Sequence, residues 1–259
     1  MLRIISRLDV KNETVVKGIH FEGLRVVGNP IKMATKYYQE GADEIIYVDA
    51  VASLYGRNSI LDIVNKSAEK LFVPLTVGGG LRNLEDIARV LAIGADKVAI
   101  NTAAIQRPEF LREAAQHFGS QCIVLSVQAK KRSKHTWEAL TESGREPTGK
   151  NVLEWIQKAE TLGIGEVLLT SVDQDGTKLG FDIPLIEACS TICNVPLMVG
   201  GGAGNTKDII EISKIKGVDA VVLASSLHYD LLTLAKIKQV LFKAGISIRP
   251  NPLNTKLSE

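Results

Sequence analysis

Residues 77–87 read VGGGLRNLEDI and residues 199–209 read VGGGAGNTKDI, one glycine turn and one following segment written twice, 122 positions apart. The likeness extends outward in order. ADKVAINTAA from Ala95 pairs with VDAVVLASSL from Val218, and Glu44 in GADEIIYVD pairs with Glu166 in GIGEVLLTS. Ordered matches at nearly constant spacing are the mark of an internal repeat, so two homologous halves are expected, at about 1–120 and 121–248. Each turn follows a short β-branched run and precedes an amphipathic one. That alternation recurs along the chain, with strands expected over 3–9, 44–49, 74–77, 97–101, 122–127, 166–170, 196–199 and 220–223. Segments such as NPIKMATKYYQEGA, SILDIVNKSAEKL and NLEDIARVLAIGA between them carry apolar residues at helical spacing and a closing Gly. Repeated βα units demand a parallel sheet covered by helices, and eight of them in about 250 residues predict a single α/β domain, a (β/α)₈ TIM barrel. An open doubly wound sheet is the alternative. The stretch KRSKHTWEALTESGREPTG after the fifth strand reads as an insertion in the second half, and residues 249–259 as a polar C-terminal tail.

Composition narrows the function classes. Charged residues make up 23% and hydrophobic residues 45%, ordinary globular usage with material for a sizeable core. A net charge of +2 gives no basic footprint for nucleic acid. The N-terminal MLRIISRLDVKNE is broken by Arg7 and Asp9, so it reads as neither signal peptide nor membrane span, and a cytoplasmic location is expected. Cys122, Cys189 and Cys193 are too few for a disulfide framework and are expected as thiols. His20, His117, His135 and His228 show no metal-ligand spacing, so neither metal nor cofactor is expected.

In a barrel of this kind chemistry sits where the strands end, because the βα loops meet there. Gly78 to Gly80 and Gly200 to Gly202 occupy that place in the third and seventh strands. Absent side chains let backbone amides approach a phosphate there. Each turn is matched by a small or polar strand end, Asn101 and Thr102 in one half, Ala224 and Ser225 in the other, so two phosphate cradles are expected. Asp9, Asp49, Gln128, Thr170, Asp173 and Asp175 are expected as a ring of acids, one amide and one hydroxyl at the same level. Aligning LDVK with VQAK sets Asp9 opposite Gln128. A carboxylate can exchange a proton near neutral pH, whereas an amide can only donate and accept hydrogen bonds.

The stretches RLDVKNETVVKG, DEIIYVDAVAS, LTVGGGLRN, DKVAIN, FGSQCIV, GEVLLTSVDQDGTKLG and VGGGAGN together resemble the cyclase subunit of imidazole glycerol phosphate synthase over all but the C-terminal tail. The resemblance implies a partner glutaminase docked under the barrel and ammonia passing through it. At the top the ammonia would meet a bisphosphorylated ribulosyl aminoimidazole, which is cleaved while an imidazole ring closes. Carried over by motif, Asp9 is a catalytic carboxylate and Lys17 lies on a mobile loop. Gly80, Asn101 and Thr102 hold one phosphate; Gly202, Ala224 and Ser225 hold the other; Asp175 and Gly176 also fall on binding positions. The ammonia entrance is matched by Arg3, Glu44, Lys97 and Glu166, four to six residues before the strand ends and so roughly 13 to 20 Å below them at about 3.3 Å per residue. Asp96 matches a residue facing the glutaminase.

The sequence also departs from that pattern. Gln128 stands where the resemblance places the second catalytic aspartate, Ser126 replaces a small apolar residue, and Arg7 replaces a small residue such as Cys. With strand period two, Arg3, Ile5, Arg7 and Asp9 share a face, so Arg7 is expected inside the barrel just below Asp9, with a carboxylate partner or an anionic ligand. A kept entrance and a lost carboxylate suggest a paralogue that delivers ammonia to another substrate, and the resemblance implies one of the surface-polysaccharide type, which with a glutaminase and a further amidotransferase turns an acetamido sugar into an acetamidino sugar. Two alternatives stay open: a cyclase of histidine biosynthesis that tolerates Gln128, and a noncatalytic ammonia conduit that activates its glutaminase.

Overall fold

The computed structural model describes residues 1–51 and 60–250; Ala52 and Ser53 of the DEIIYVDAVAS motif, Ser59 of the second helix candidate and residues 251–259 of the tail lie outside them. In chain order the strands are β1 (Arg3–Lys11), β2 (Thr14–Ile19), β3 (Glu22–Gly28), β4 (Glu44–Asp49), β5 (Leu75–Gly78), β6 (Lys97–Ile100), β7 (Ile123–Ser133), β8 (Thr136–Thr141), β9 (Glu146–Asn151), β10 (Glu166–Ser171), β11 (Leu197–Gly200) and β12 (Val218–Leu223). The described helices are α1 (Pro30–Gln39), α2 (Leu61–Ala68), α3 (Leu84–Ala92), α4 (Thr102–Gln106), α5 (Glu109–Phe118), α6 (Val152–Thr161), α7 (Ile183–Ile192), α8 (Thr206–Ser213), α9 (Ser225–His228) and α10 (Leu234–Lys243).

β1, β4, β5, β6, β7, β10, β11 and β12 pair in parallel with their neighbours, and β12 returns to β1, so the sheet closes into the expected barrel. Alternation along each strand sorts its side chains into two concentric cores. Ile5, Ile46, Ala99, Val124, Leu168, Met198, Ala220 and Val222 fill the interior. Their neighbours in sequence, among them Ile4, Ile45, Val167 and Val221, face outward and join the helices in a larger shell that includes Phe110 and Trp155. Burial on both faces is why these strands read as continuous apolar runs rather than alternating ones.

The repeat is visible in local chemistry. Asn29 and Asn151 cap α1 and α6, and Asn83 and Asn205 cap α3 and α8, each accepting backbone N–H bonds of its own first turn. Such a cap is worth about 1 kcal/mol. Gly79 and Gly201 stand at φ 96° and 95°. A Cβ on them would lie 2.4 Å from the Asp49 carbonyl oxygen and 2.8 Å from that of Ser171, so each half needs glycine there for one reason, a close strand crossing.

One expectation is corrected. KRSKHTWEALTESGREPTG is not an insertion peculiar to the second half. It forms most of the β8–β9 hairpin, and β8 lies 122 positions after β2, whose own hairpin follows β1. This part of the repeat leaves no trace in the sequence because hairpin side chains that face solvent or each other are free to diverge while the backbone pairing persists. Both hairpins fold over the top of the barrel, where Phe21 of the first meets Leu140 and Val172, and a Cβ at Gly144 of the second would lie 3.0 Å from the Phe21 ring.

Candidate active site

At the lower end, one side chain from each of four strands forms a closed electrostatic ring. Arg3 contacts Glu44 at 2.5 Å and Glu166 at 2.9 Å, and Lys97 contacts the same two carboxylates at 3.0 and 2.8 Å. Burial pulls the Arg3 pKa down, and the two glutamates more than reverse that, so it rests above its ordinary value. Directly above lies the apolar interior layer. Asp96 is exposed beside the ring, with Oδ2 accepting from the Leu75 N–H at 2.8 Å. Asp43 and Asp219 hold the Ile4 and Leu197 N–H groups in the same way, at 2.7 and 2.9 Å, so Asp96 also has a structural task.

Asp9 is the centre of the upper end. Its Oδ1 accepts from Arg7 Nε at 2.9 Å and lies 2.8 Å from Nη2, while Lys17 Nζ stands 3.6 Å from Oδ2. Burial alone would raise the Asp9 pKa; Arg7 and Lys17 overcome it and hold the carboxyl below the usual carboxylate range. Arg7 points inward as strand period two required, and its Nη1 donates to Thr170 Oγ1 at 3.2 Å. Lys17 lies on strand β2 rather than on a loop, buried, with Nζ 2.6 Å from Asp175 Oδ2. The hairpin is held by the His20 N–H donating to the Asp175 carbonyl at 2.8 Å, and Gly176 permits the approach, since a Cβ there would sit 2.3 Å from the Gly18 carbonyl oxygen. Asp173 is not brought into the mouth; it pairs with Lys130 at the rim.

The two glycine turns open on two unequal cavities. The first, about 300 Å³, is lined by Asp49, Gly78 to Leu81, Asn101, Thr102, Ser126 and Gln128. The second, about 20 Å³, is lined by Arg7, Thr170, Asp175, Gly176, Gly200 to Gly202, Ala224 and Ser225. The helices that begin at the turns, α3 and α8, have their N-termini satisfied by Asn83 and Asn205. The short helices α4 and α9 have no side-chain cap, and their N-cap residues Asn101 and Ala224 share one backbone geometry, φ −125°, ψ −84° and φ −136°, ψ −84°. Anion-seeking amides are therefore those after β6 and β12, together with the glycine turns, rather than those of the longer helices.

Sequence reasoning missed the tip of the second hairpin. The Glu142 N–H donates to Thr102 Oγ1 at 3.3 Å and Ser143 Oγ donates to the Ala50 carbonyl at 3.0 Å, so this tip forms a wall of the first cavity. Glu142 Oε2 is buried with no hydrogen-bond partner among the described residues. His228 was also unassigned: its Nδ1 meets the Tyr37 hydroxyl at 2.8 Å, and burial pushes its pKa down to about 4 against the pull of nearby Asp9. No signal in the sequence marks either residue, because both act through contacts across the fold.

The histidine biosynthesis protein family matches residues 3–233. A protein of Legionella pneumophila is 50% identical over 207 residues, 80% of this chain and 98% of its own length. One of Streptococcus sanguinis is 44% identical over 247 residues, 95% of this chain and 98% of its own, and one of Gluconacetobacter diazotrophicus 45% over 251, 97% of each. All three bear the name imidazole glycerol phosphate synthase subunit HisF. The chain belongs to the HisF family. Within this HisF-family barrel the described residues contain no group of three or more His, Cys, Asp or Glu able to hold a metal, and no helix long and apolar enough to cross a membrane.

Proposed function

We propose that the chain is the ammonia-using cyclase subunit of an imidazole glycerol phosphate synthase in histidine biosynthesis. The observation that carries this is a vertical succession within one barrel: the Arg3, Glu44, Lys97 and Glu166 ring, the apolar interior, and a mouth where the cavity over Asp9 shares Arg7 with one glycine cradle and Gln128 with the other. A glutaminase on the basal face, near Asp96, would supply ammonia. As the neutral molecule, ammonia crosses the apolar layer without the desolvation cost that ammonium would meet. Gly80, Asn101 and Thr102 hold one phosphate of the ribulosyl aminoimidazole substrate, and Gly202, Ala224 and Ser225 the other. Asp49, Thr170, Asp175 and Gly176 line the space between. Asp9 moves the proton; Lys17 fixes the carboxylate; Gln128 orients the substrate by hydrogen bonds. The names of the relatives favour this reading over the acetamidino-sugar expectation.

A second reading has one specific support. Asp9 is tied to Arg7, and Gln128, an amide, accepts at Oε1 from Asn101 Nδ2 at 3.0 Å, so these two positions do not form a pair of free acid–base groups. Delivery of ammonia to an acetamido sugar, with a further amidotransferase, or glutaminase activation alone, needs none. Purified protein given ammonium and the bisphosphate substrate decides between them. Turnover of about 1 s⁻¹ or more, within the ordinary enzyme range, supports the cyclase. Absent turnover with intact glutaminase stimulation supports the second reading.

A further inference from the structure

The repeat that makes the two cradles alike changes charge at two interior positions, and the lower of them separates the cavities. With Asp9 set against Gln128, Arg7 is the counterpart of Ser126, and each lines the cavity at the other half's glycine turn. Beside Ser126 the cavity measures about 300 Å³; beside Arg7 it measures about 20 Å³, room for about one water. A guanidinium thus stands where the other half has a hydroxyl.

Arg7 is buried, and of its five N–H groups it uses one on Nε and one on Nη2 toward Asp9 and one on Nη1 toward Thr170. Two remain. The guanidinium also borders the cavity over Asp9, so it stands between that carboxylate and the second glycine turn. Lys17, 3.6 Å from Asp9 and 2.6 Å from Asp175, stays beside the carboxylate if Arg7 leaves it. A phosphate group needs more room than the second cavity has as it stands, and a turn of Arg7, which with Lys178 is one of the two long side chains in its lining, would supply it. An arginine that turns toward a phosphate meets the geometry its fork matches best.

We propose that Arg7 is the specificity-determining residue of the second cradle, exchanging Asp9 for the phosphate group of a ligand bound at the Gly200 to Gly202 turn. This rests on the phosphate-cradle part of the function proposed above. At the inner wall the first cradle then offers Ser126 and the second a buried guanidinium, while the arginines of the first, Arg82 and Arg107, are exposed, so a ligand with two unlike phosphate ends has a preferred way round in the mouth.

Titration with inorganic phosphate, followed at the backbone amide signals of Gly80 and Gly202, reads each cradle separately and needs no substrate. Arg7→Ser copies the residue at the equivalent place of the other half. It should raise the half-saturating phosphate concentration at Gly202 by about tenfold to a hundredfold, the weight of a charged hydrogen bond, and change that at Gly80 by less than about twofold. Arg7→Gln keeps length and hydrogen bonding without charge, should lose as much, and decides alone if the serine variant does not fold. A Gly202 response at wild-type or lower phosphate in either folded variant overturns the inference and leaves Arg7 as the structural partner of Asp9. Silence of Gly202 in the wild type overturns it too, and silence of both glycines overturns the cradle reading with it.

Discussion

Asn101 and Gln128, at the ends of the adjacent strands β6 and β7, are joined by a 3.0 Å hydrogen bond in which the Asn101 amide donates, and the same amide donates to the Leu140 carbonyl at 3.0 Å. The residue that departs from the expected aspartate is therefore built into the first cradle rather than left loose. A carboxylate at 128 could accept the same bond. It would also face Asp9 across the mouth, and a like charge raises a carboxylate's pKa toward the range useful for proton transfer.

Gln128→Asp should accordingly raise turnover of ammonium and the bisphosphate substrate by about a hundredfold or more, the ordinary weight of a general acid or base. Steady-state kinetics at neutral pH measures it. Unchanged turnover in a folded variant would mean that position 128 takes no part in proton transfer.

The basal ring predicts non-additivity. Lys97→Met leaves Glu44 and Glu166 sharing Arg3 alone and should cost about 1 to 3 kcal/mol in urea unfolding, less than a fully buried pair because Arg3 is partly exposed. Adding Glu166→Met removes the uncompensated charge, so the double variant should lose less than the sum of the singles. Strict additivity would show that the contacts carry no coupling energy.

Glu142 sets a carboxylate in the wall of the first cavity. Glu142→Gln keeps its shape and removes the repulsion, so phosphate binding reported by the Gly80 amide should tighten by about threefold to tenfold, with a smaller gain at high salt. Weaker binding would mean that Glu142 positions the cradle more than it opposes the anion.

His228 predicts an acid limb of stability. Its pKa falls from 6.5 to about 4 on folding, so between those values the unfolded chain holds more protons than the folded one. The contribution is fully present above about pH 6.5 and is lost progressively as pH falls to about 4, roughly 3 kcal/mol in all. Asp9, held below the usual carboxylate range, loses its own contribution only at lower pH. Urea midpoints from pH 7 to 4 should fall less steeply in His228→Gln than in wild type, and parallel curves would show that His228 does not titrate as stated.

The repeat, the eight strands, the glycine turns and the inward set of Arg3, Ile5, Arg7 and Asp9 were all legible in the sequence. Each rests on a local cause: strand period two, helix period, or a backbone conformation open to glycine. The equivalence of the hairpins was not legible, since β8 keeps the place of β2 with different side chains. Nor were the Arg7 to Thr170 bond, the Lys17 to Asp175 pair, the Glu142 wall or the sizes of the two cavities. Thr170 and Asp175 lie 163 and 158 positions from their partners. Such partners are chosen only when β10 comes round to complete the barrel and the hairpins settle over its mouth. The sequence by itself determined which residues face the interior; closure of the sheet decided which of them touch.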